Sequence, residues 1–458
     1  MKLDVLLSST LVGKLANDPQ TNQFSFAYSQ QWIDSRESFP ISPLLPVHGA
    51  DQDKGHSSNV RQFFENLLPE GQGLEATSTQ YQVSKSNLMG LLIHLGKDLA
   101  GALSVEISDQ QKKVHVAASA RPISKEELSQ RIRNRPNQSF AVWDGKVRMS
   151  IAGFQDKIVA FEHAGKWAFV DGSGQSSNII IKPEPLSDTM AGMTGNEFMC
   201  MTLSKEVGLP TASVRLDHVP EPVLIIDRFD RQTSKDGSTV KRLHVIDGCQ
   251  SLGISPAYKY ERPYGDTRDV KHIRDGASLP KLFAMLDKQS NQPAAQRLGL
   301  LRWVIFQIIV GNTDAHAKNL SFYCGPGGLA LSPTYDILCA AAFDHPDLDD
   351  AYAMAIGDAF TANELTAYEW AVFADRCGLS PRLVQAELKR MCESVKSKIE
   401  LAQRIAKENG VQEKTISAVT EHVVKMADLL RPMSSQILQM HRDLVEAERE
   451  EVGEPPRG

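Results

Sequence analysis

The hydrophobic period of the chain changes near residue 245, and that change limits the fold classes open to it. Before it, short apolar or alternating runs read as strands: Met1–Leu7, Gln23–Tyr28, Lys157–Glu162, Trp167–Val170, Asn178–Pro183, Ser213–Leu216 and Pro222–Ile226. After it, apolar residues recur every three or four positions over 279–286, 296–310, 362–376, 381–409 and 415–447, the spacing of a helix face. A strand-rich half followed by a helix-rich half predicts an α+β chain of two lobes, with a cleft between them. Many unrelated activities use that order, so function has to come from particular residues.

Smaller signals fill in the first half. Residues 41–47 have strand-like composition, and 59–68 and 83–95 have helical spacing, with a turn at Leu67-Leu68-Pro69-Glu70-Gly71. Ser124 followed by Glu127 predicts a helix start, because each side chain can satisfy an open backbone N–H. The polar stretch 134–139 reads as a linker, Gly172–Ser177 as a loop, Gly195–Val207 as a helix, and the chain beyond Glu448 as a disordered tail. The expected division is 1–120, 121–255, 256–448 and the tail 449–458.

Composition removes several classes. Hydrophobic residues at 41% and charged residues at 23% suit a packed globular chain, and a formal net charge of −6 argues against a surface built wholly for nucleic acid or membrane. The six cysteines form no Cys-x-x-Cys pair and read as reduced thiols of a cytoplasmic protein. The apolar N-terminal run contains Asp4 and reads as a strand rather than a signal peptide. The run 300–310, broken by Arg302 and Gln307, is far too short to span a bilayer.

The chemistry concentrates in Gly311-Asn312-Thr313-Asp314-Ala315-His316-Ala317-Lys318-Asn319, a polar or small-residue run between a helix pattern and a strand pattern. Asp314 and Asn319 have the five-residue offset of a kinase catalytic loop, in which the Asp accepts a hydroxyl proton and the Asn faces a phosphate-bound Mg²⁺. Alone, that spacing more often describes a capping turn. The Gly325-Pro326-Gly327-Gly328 hairpin then returns the chain so that Asp336 can share a metal with Asn319; alone, Asp336 would be a turn residue before Ile337. Two such oxygen ligands with phosphate oxygens suit Mg²⁺. Lys182 ends an apolar strand, with Glu197 in the next helix able to orient it towards phosphates; a lysine snorkelling from a strand end is the plainer reading. Ser150-Ile151-Ala152-Gly153-Phe154-Gln155-Asp156-Lys157 has a single glycine and matches neither a Walker A motif nor Gly-x-Gly-x-x-Gly.

Taken in order, these segments resemble the HipA family of bacterial toxin kinases. The similarity also covers Phe63–Gly71 and Leu92–Leu103 near the start, Asn196-Glu197, Asp227-Arg228-Phe229-Asp230-Arg231, Cys249–Gly253 and Lys259-Tyr260-Glu261. It departs from the family pattern at Phe154, where a small residue is usual, at Asp227, where Glu is usual, and at Ile246. The resemblance implies a two-lobed protein-kinase-like fold: an N-terminal coupling region, an ATP-binding part and a mainly helical catalytic lobe. It implies ATP and Mg²⁺ as cofactors and Asp314 as general base, with Asn319 and Asp336 on the metal. Ala152, Gly153, Gln155, Lys157, Lys182, Asp227, Arg228, Phe229, His316 and Asn319 would bind ATP. His316 stands where ordinary kinases keep a lysine. Ser150 would be an inhibitory autophosphorylation site. The implied partners are a HipB-like DNA-binding antitoxin, operator DNA through the antitoxin complex, and a protein substrate of the aminoacyl-tRNA synthetase kind, glutamyl-tRNA synthetase among them. Two other readings stay open here: a small-molecule kinase, and a co-repressor subunit with secondary kinase activity.

Overall fold

The structure, a computed structural model, describes residues 1–48, 55–108, 119–148, 155–171, 176–237, 239–343 and 350–452. The chain forms two compact units that interleave along the sequence. One comprises Met1–Leu186, Ala212–Pro256 and Ser321–Ser332; the other comprises Ser187–Thr211, Ala257–Leu320 and Pro333–Gly458.

The first unit is built on antiparallel sheets. Its N-terminal sheet runs in the order Gln23–Tyr28, Thr10–Asp18, Lys2–Leu7, Leu103–Ile107. A second sheet of six strands runs Val214–His218, Pro222–Asp227, Ile179–Pro183, Ile158–His163, Lys166–Asp171, Ser119–Ile123. Alternation decides its faces: Ile158, Ala160, Ile179, Ile181, Val223 and Ile225 join one buried cluster, so the intervening residues, Lys182 included, face the other way. The hairpin Ser321–Gly325/Gly328–Leu331 forms as expected and pairs with Val245–Asp247.

The second unit is helical: Met193–Glu206, Leu279–Gln289, Pro293–Val310, Ala367–Arg376, Pro381–Glu408, Glu413–Ser434 and Ile437–Val452. Val384, Leu388, Met391, Val395 and Ile399 form the buried stripe of the longest helix, at the three-to-four spacing that turns one face to a core. Phe283 and Phe373, buried in that core, meet edge to face at 6.0 Å.

Three expectations need correction. Residues 41–47 form no strand; only an isolated bridge links Ser42 and Leu45, because Pro40, Pro43 and Pro46 remove every third ladder donor. The helix expected over 83–95 begins only at Leu88, where the Asn87 side chain accepts from the Gly90 N–H at 3.0 Å. A helix over Gly71–Tyr81 follows the Pro69 turn, in a polar stretch whose sequence shows too few apolar residues to reveal it. The last helix runs to Val452, four residues into the expected tail. No described helix is long and apolar enough to cross a membrane.

Candidate active site

In the first unit, two cations share one place in the six-stranded sheet. The pairing of Ile179–Pro183 with Ile158–His163 sets Ile181 opposite Ile158. Continued one residue, that register sets Lys182 opposite Lys157, with both side chains on the face away from the apolar cluster. Both lysines are buried. Two cations on one face form charge-assisted bonds of the kind that hold a phosphate chain.

The neighbouring segment 227–231 is fixed through its backbone. Asp227 N–H donates to the Ser213 carbonyl at 2.9 Å and Arg228 N–H to the Asn178 carbonyl at 2.9 Å. The Phe229 carbonyl accepts from the Tyr323 hydroxyl at 3.1 Å. Burial raises the Asp227 carboxyl above its ordinary value against the pull of Arg215. The Arg228 guanidinium is fully engaged inside the unit, with Asp230 at 2.8 Å and the Ser177 hydroxyl at 2.8 Å; only its backbone faces the role expected of it. Gln155 lies at the edge of the described residues. Ser150, Ala152 and Gly153 lie outside them.

The second unit gathers the acidic residues. Helix Pro293–Val310 ends at Gly311 with φ 69°, a conformation that glycine enters without cost. A Cβ there would meet His422 Nε2 at 2.3 Å. The loop that follows is tied down by side chain and backbone alike. Asn312 Nδ2 donates to Gln307 Oε1 at 2.9 Å and to the Asp336 carbonyl at 3.2 Å. Thr313 accepts from Ala353 N–H at 2.9 Å, and Ala317 N–H donates to the Lys259 carbonyl at 3.1 Å. The Tyr335 hydroxyl reaches the Lys318 carbonyl at 2.8 Å. The loops carrying Asp314, Asn319 and Asp336 are therefore bonded to one another. Asp336 has φ 56°, the left-handed region that non-glycine residues enter at a cost and that clusters at functional sites.

The donor set suits a hard cation. Asn319 Nδ2 donates to the Asp314 carbonyl at 2.7 Å, which turns the amide oxygen the other way. The Asp314 carboxylate is half exposed and accepts from the Tyr260 hydroxyl at 2.5 Å. His316 lies 3.8 Å from the same oxygen. Burial, helped by Lys259, pushes the His316 imidazole well below its ordinary value, so this contact is no ion pair. Its Nδ1 is buried without a hydrogen-bond partner among the described residues.

Residues 149–399 match the HipA-like C-terminal domain and residues 3–106 the HipA N-terminal domain. The chain is 35% identical over 396 residues to the serine/threonine-protein kinase toxin HipA of Shewanella oneidensis, covering 86% of this chain and 88% of that protein. The chain belongs to the HipA family. A putative kinase of Sinorhizobium fredii is 32% identical, with 86% and 89% covered. A solved complex of Shewanella oneidensis HipA with HipB and operator DNA matches with a TM-score of 0.83 at 32% identity, over 95% of this chain and 99% of that one. The α+β, HipA-like fold expected from the sequence is thus the one found, and the chain is an enzyme of the serine/threonine-protein-kinase class. Every candidate site residue lies within the HipA-like C-terminal domain.

Sequence reading missed the residues that hold this HipA site together. Lys259-Tyr260-Glu261 is a similarity without a role until Tyr260 is seen on Asp314. The same holds for Glu261, which accepts from Ala355 N–H at 2.8 Å and pairs with Arg274. Asn196, fully buried, clamps the Cys339 backbone, donating to its carbonyl at 3.0 Å and accepting from its N–H at 2.8 Å. The family resemblance covered Asn196 without giving it a role.

Proposed function

We infer that this chain transfers the γ-phosphoryl of ATP to a protein serine and acts as the toxin of a toxin–antitoxin pair. The observation that carries the reading is the bonding of the Asp314, Asn319 and Asp336 loops into one cluster inside the HipA-like C-terminal domain. Asp314 orients the attacking hydroxyl and takes its proton. Asn319 and Asp336 would hold Mg²⁺, which supplies charge neutralisation on the phosphates. Lys157 and Lys182 hold the phosphates. Ala152, Gly153 and Gln155 would bind the nucleotide with them. Asp227, the Arg228 backbone and Phe229 line the adenine, and neutral His316 donates to the γ-phosphate more weakly than a lysine would.

The substrate we propose is an aminoacyl-tRNA synthetase, glutamyl-tRNA synthetase being the first to test. The Shewanella complex supports a HipB-like antitoxin as partner, with operator DNA bound through that complex. Ser150 is the proposed inhibitory autophosphorylation site, where phosphate adds about −1.5 to −2 charges immediately before the ATP-loop sequence. The test is radiolabelled ATP with purified protein and cell lysate, followed by phosphosite mapping. A single labelled serine on one synthetase, lost in Asp314→Asn, is the expected result. Label on small molecules alone overturns the protein-substrate reading.

A further inference from the structure

An ionic network in the first unit, buried at Arg228, Asp230 and Arg231 and 32% exposed at the Asp98 side chain, has no part in the roles assigned so far. Asp98, on the loop after helix Leu88–Leu95, accepts from the Ser177 hydroxyl at 2.7 Å, the Ser176 hydroxyl at 3.0 Å and Arg231 Nη2 at 3.0 Å. Asp230 accepts from Arg228 Nη2 at 2.8 Å, Arg231 Nη1 at 2.7 Å and the Gly101 N–H at 2.8 Å. Arg231 also donates to the Leu99 and Gly101 carbonyls at 3.0 and 2.9 Å. Arg242 grips the same loop, donating to the carbonyls of Lys97, Leu99, Gly101 and Leu103 at 2.8–3.1 Å.

The network joins three stretches of chain. The loop 97–103 belongs to the HipA N-terminal domain. Ser176-Ser177 lead into the strand that carries Lys182, and Arg228 and Asp230 flank Phe229 of the adenine segment. Burial alone would raise both carboxyls. Arg228 and Arg231 instead hold Asp230 at about 2 and Asp98 well below the ordinary carboxylate range. Both stay charged, and the hydrogen bonds have fixed directions. Charge-assisted bonds of this kind are short and directional, and a fully satisfied buried network specifies one arrangement of the backbone that carries it.

We propose that Asp98 is a positioning residue for the nucleotide, through which the N-terminal domain holds Arg228 and Phe229 in place just beyond Asp227, the last residue paired with the lysine strand. The inference rests on the nucleotide reading given above. In effect the N-terminal domain is a structural part of the ATP site, acting through Arg228 and Arg231 rather than by touching ligand.

The test is Mg·ATP calorimetry and steady-state kinetics on full-length Asp98→Asn, Asp98→Glu and Ser177→Ala. Asp98→Asn keeps the shape and removes the charge that orders the arginines. It should raise Kd and KM for ATP roughly tenfold while kcat changes less than about twofold, since only the placement of bound nucleotide is loosened. Asp98→Glu should recover part of the loss. A role in stability alone lowers the melting temperature and the active fraction but leaves KM where it was, and that outcome overturns the proposal. Should Asp98→Asn fail to fold, Ser177→Ala decides: it removes one neutral donor to Asp98 and one acceptor from Arg228 and should raise KM about threefold, and an unchanged KM overturns the idea. Wild-type protein that binds no Mg·ATP overturns the nucleotide reading itself, and this inference with it. Wild-type binding matched by Asp98→Asn overturns this inference alone.

Discussion

The two groups of candidate residues are held by different physics. Lys182 sits on a strand of the six-stranded sheet and Lys157 one residue before the strand beside it, so the adjoining ladder fixes their positions. Asp314, Asn319 and Asp336 sit on loops, and side chains such as Asn312 and Tyr335 bond those loops together. A sheet rung keeps its geometry whatever its side chains are. A loop keeps it only while each clamp is present. The lysine group therefore suits the binding of a constant feature, a phosphate chain. The acidic group, with a half-exposed Asp314, suits a step in which a second molecule must approach.

That contrast separates chemistry from binding in mutants. Asp314→Asn is expected to reduce phosphoryl transfer by about 10²–10⁴-fold while Kd for Mg·ATP changes less than about threefold and folding is unaffected. Calorimetry beside a phosphorylation assay checks it, and a fully active variant removes Asp314 from the mechanism. Lys182→Met should do the reverse in kind: Kd for Mg·ATP rises on the order of 10–100-fold, as a charge-assisted phosphate contact is lost. Equal effects of the two variants on binding would break the comparison.

Legibility in the sequence follows the same division. The sheet showed itself through short apolar runs: Ile179, Ile180 and Ile181, followed by Lys182, read as a strand with a cation at its end before any geometry was known. The long helices showed themselves through their buried stripes. Asp314 and Asn319 stood out as polar residues between two apolar elements. What stayed hidden was every contact between distant parts of the chain. Nothing in the spacing joins Asn196 to Cys339, Tyr260 to Asp314, or Asp98 to Arg231. Arg228 was read as facing the nucleotide, although its side chain turns inward, because a sequence does not show which way a residue points beyond a strand's end. The prolines of 40–46 could have ruled out the strand read there, since three missing donors in seven residues leave no ladder.

Acid stability sharpens the comparison from the sheet side. His244 is buried, its Nε2 donates to the Ile41 carbonyl at 2.9 Å, and its Nδ1 has no hydrogen-bond partner among the described residues. Burial, with Arg242 nearby, lowers its pKa to about 4. Below about pH 6.5 the unfolded chain takes up a proton that the native imidazole refuses. Stability present at neutral pH is therefore lost as pH falls from about 6.5 towards 4, by up to roughly 1.4 kcal/mol per pH unit. Urea unfolding at pH 7, 6 and 5 should show that slope, and His244→Gln should flatten it. An unchanged slope in the variant would show that other groups control this window.

The smallest expected effect tests the loop side most directly. Asn312→Ala removes two hydrogen bonds, one to Gln307 and one to the backbone of Asp336. The Gln307 carbonyl oxygen, in a buried residue, loses a donor, which costs about 1–3 kcal/mol of stability. Asp336 keeps its own side chain but loses a tether on a backbone already in the left-handed region. Activity should fall several-fold, and the Mg²⁺ concentration for half-maximal activity should rise, because the ligand must be ordered when the metal binds. Ile180→Val is the matched change in the sheet. It deletes one methylene from a half-buried strand residue and should cost no more than about 1 kcal/mol, with the Mg²⁺ and ATP dependence unchanged. If Ile180→Val shifts the Mg²⁺ requirement as much as Asn312→Ala does, the division between a site held by its ladder and a site held by its clamps is wrong.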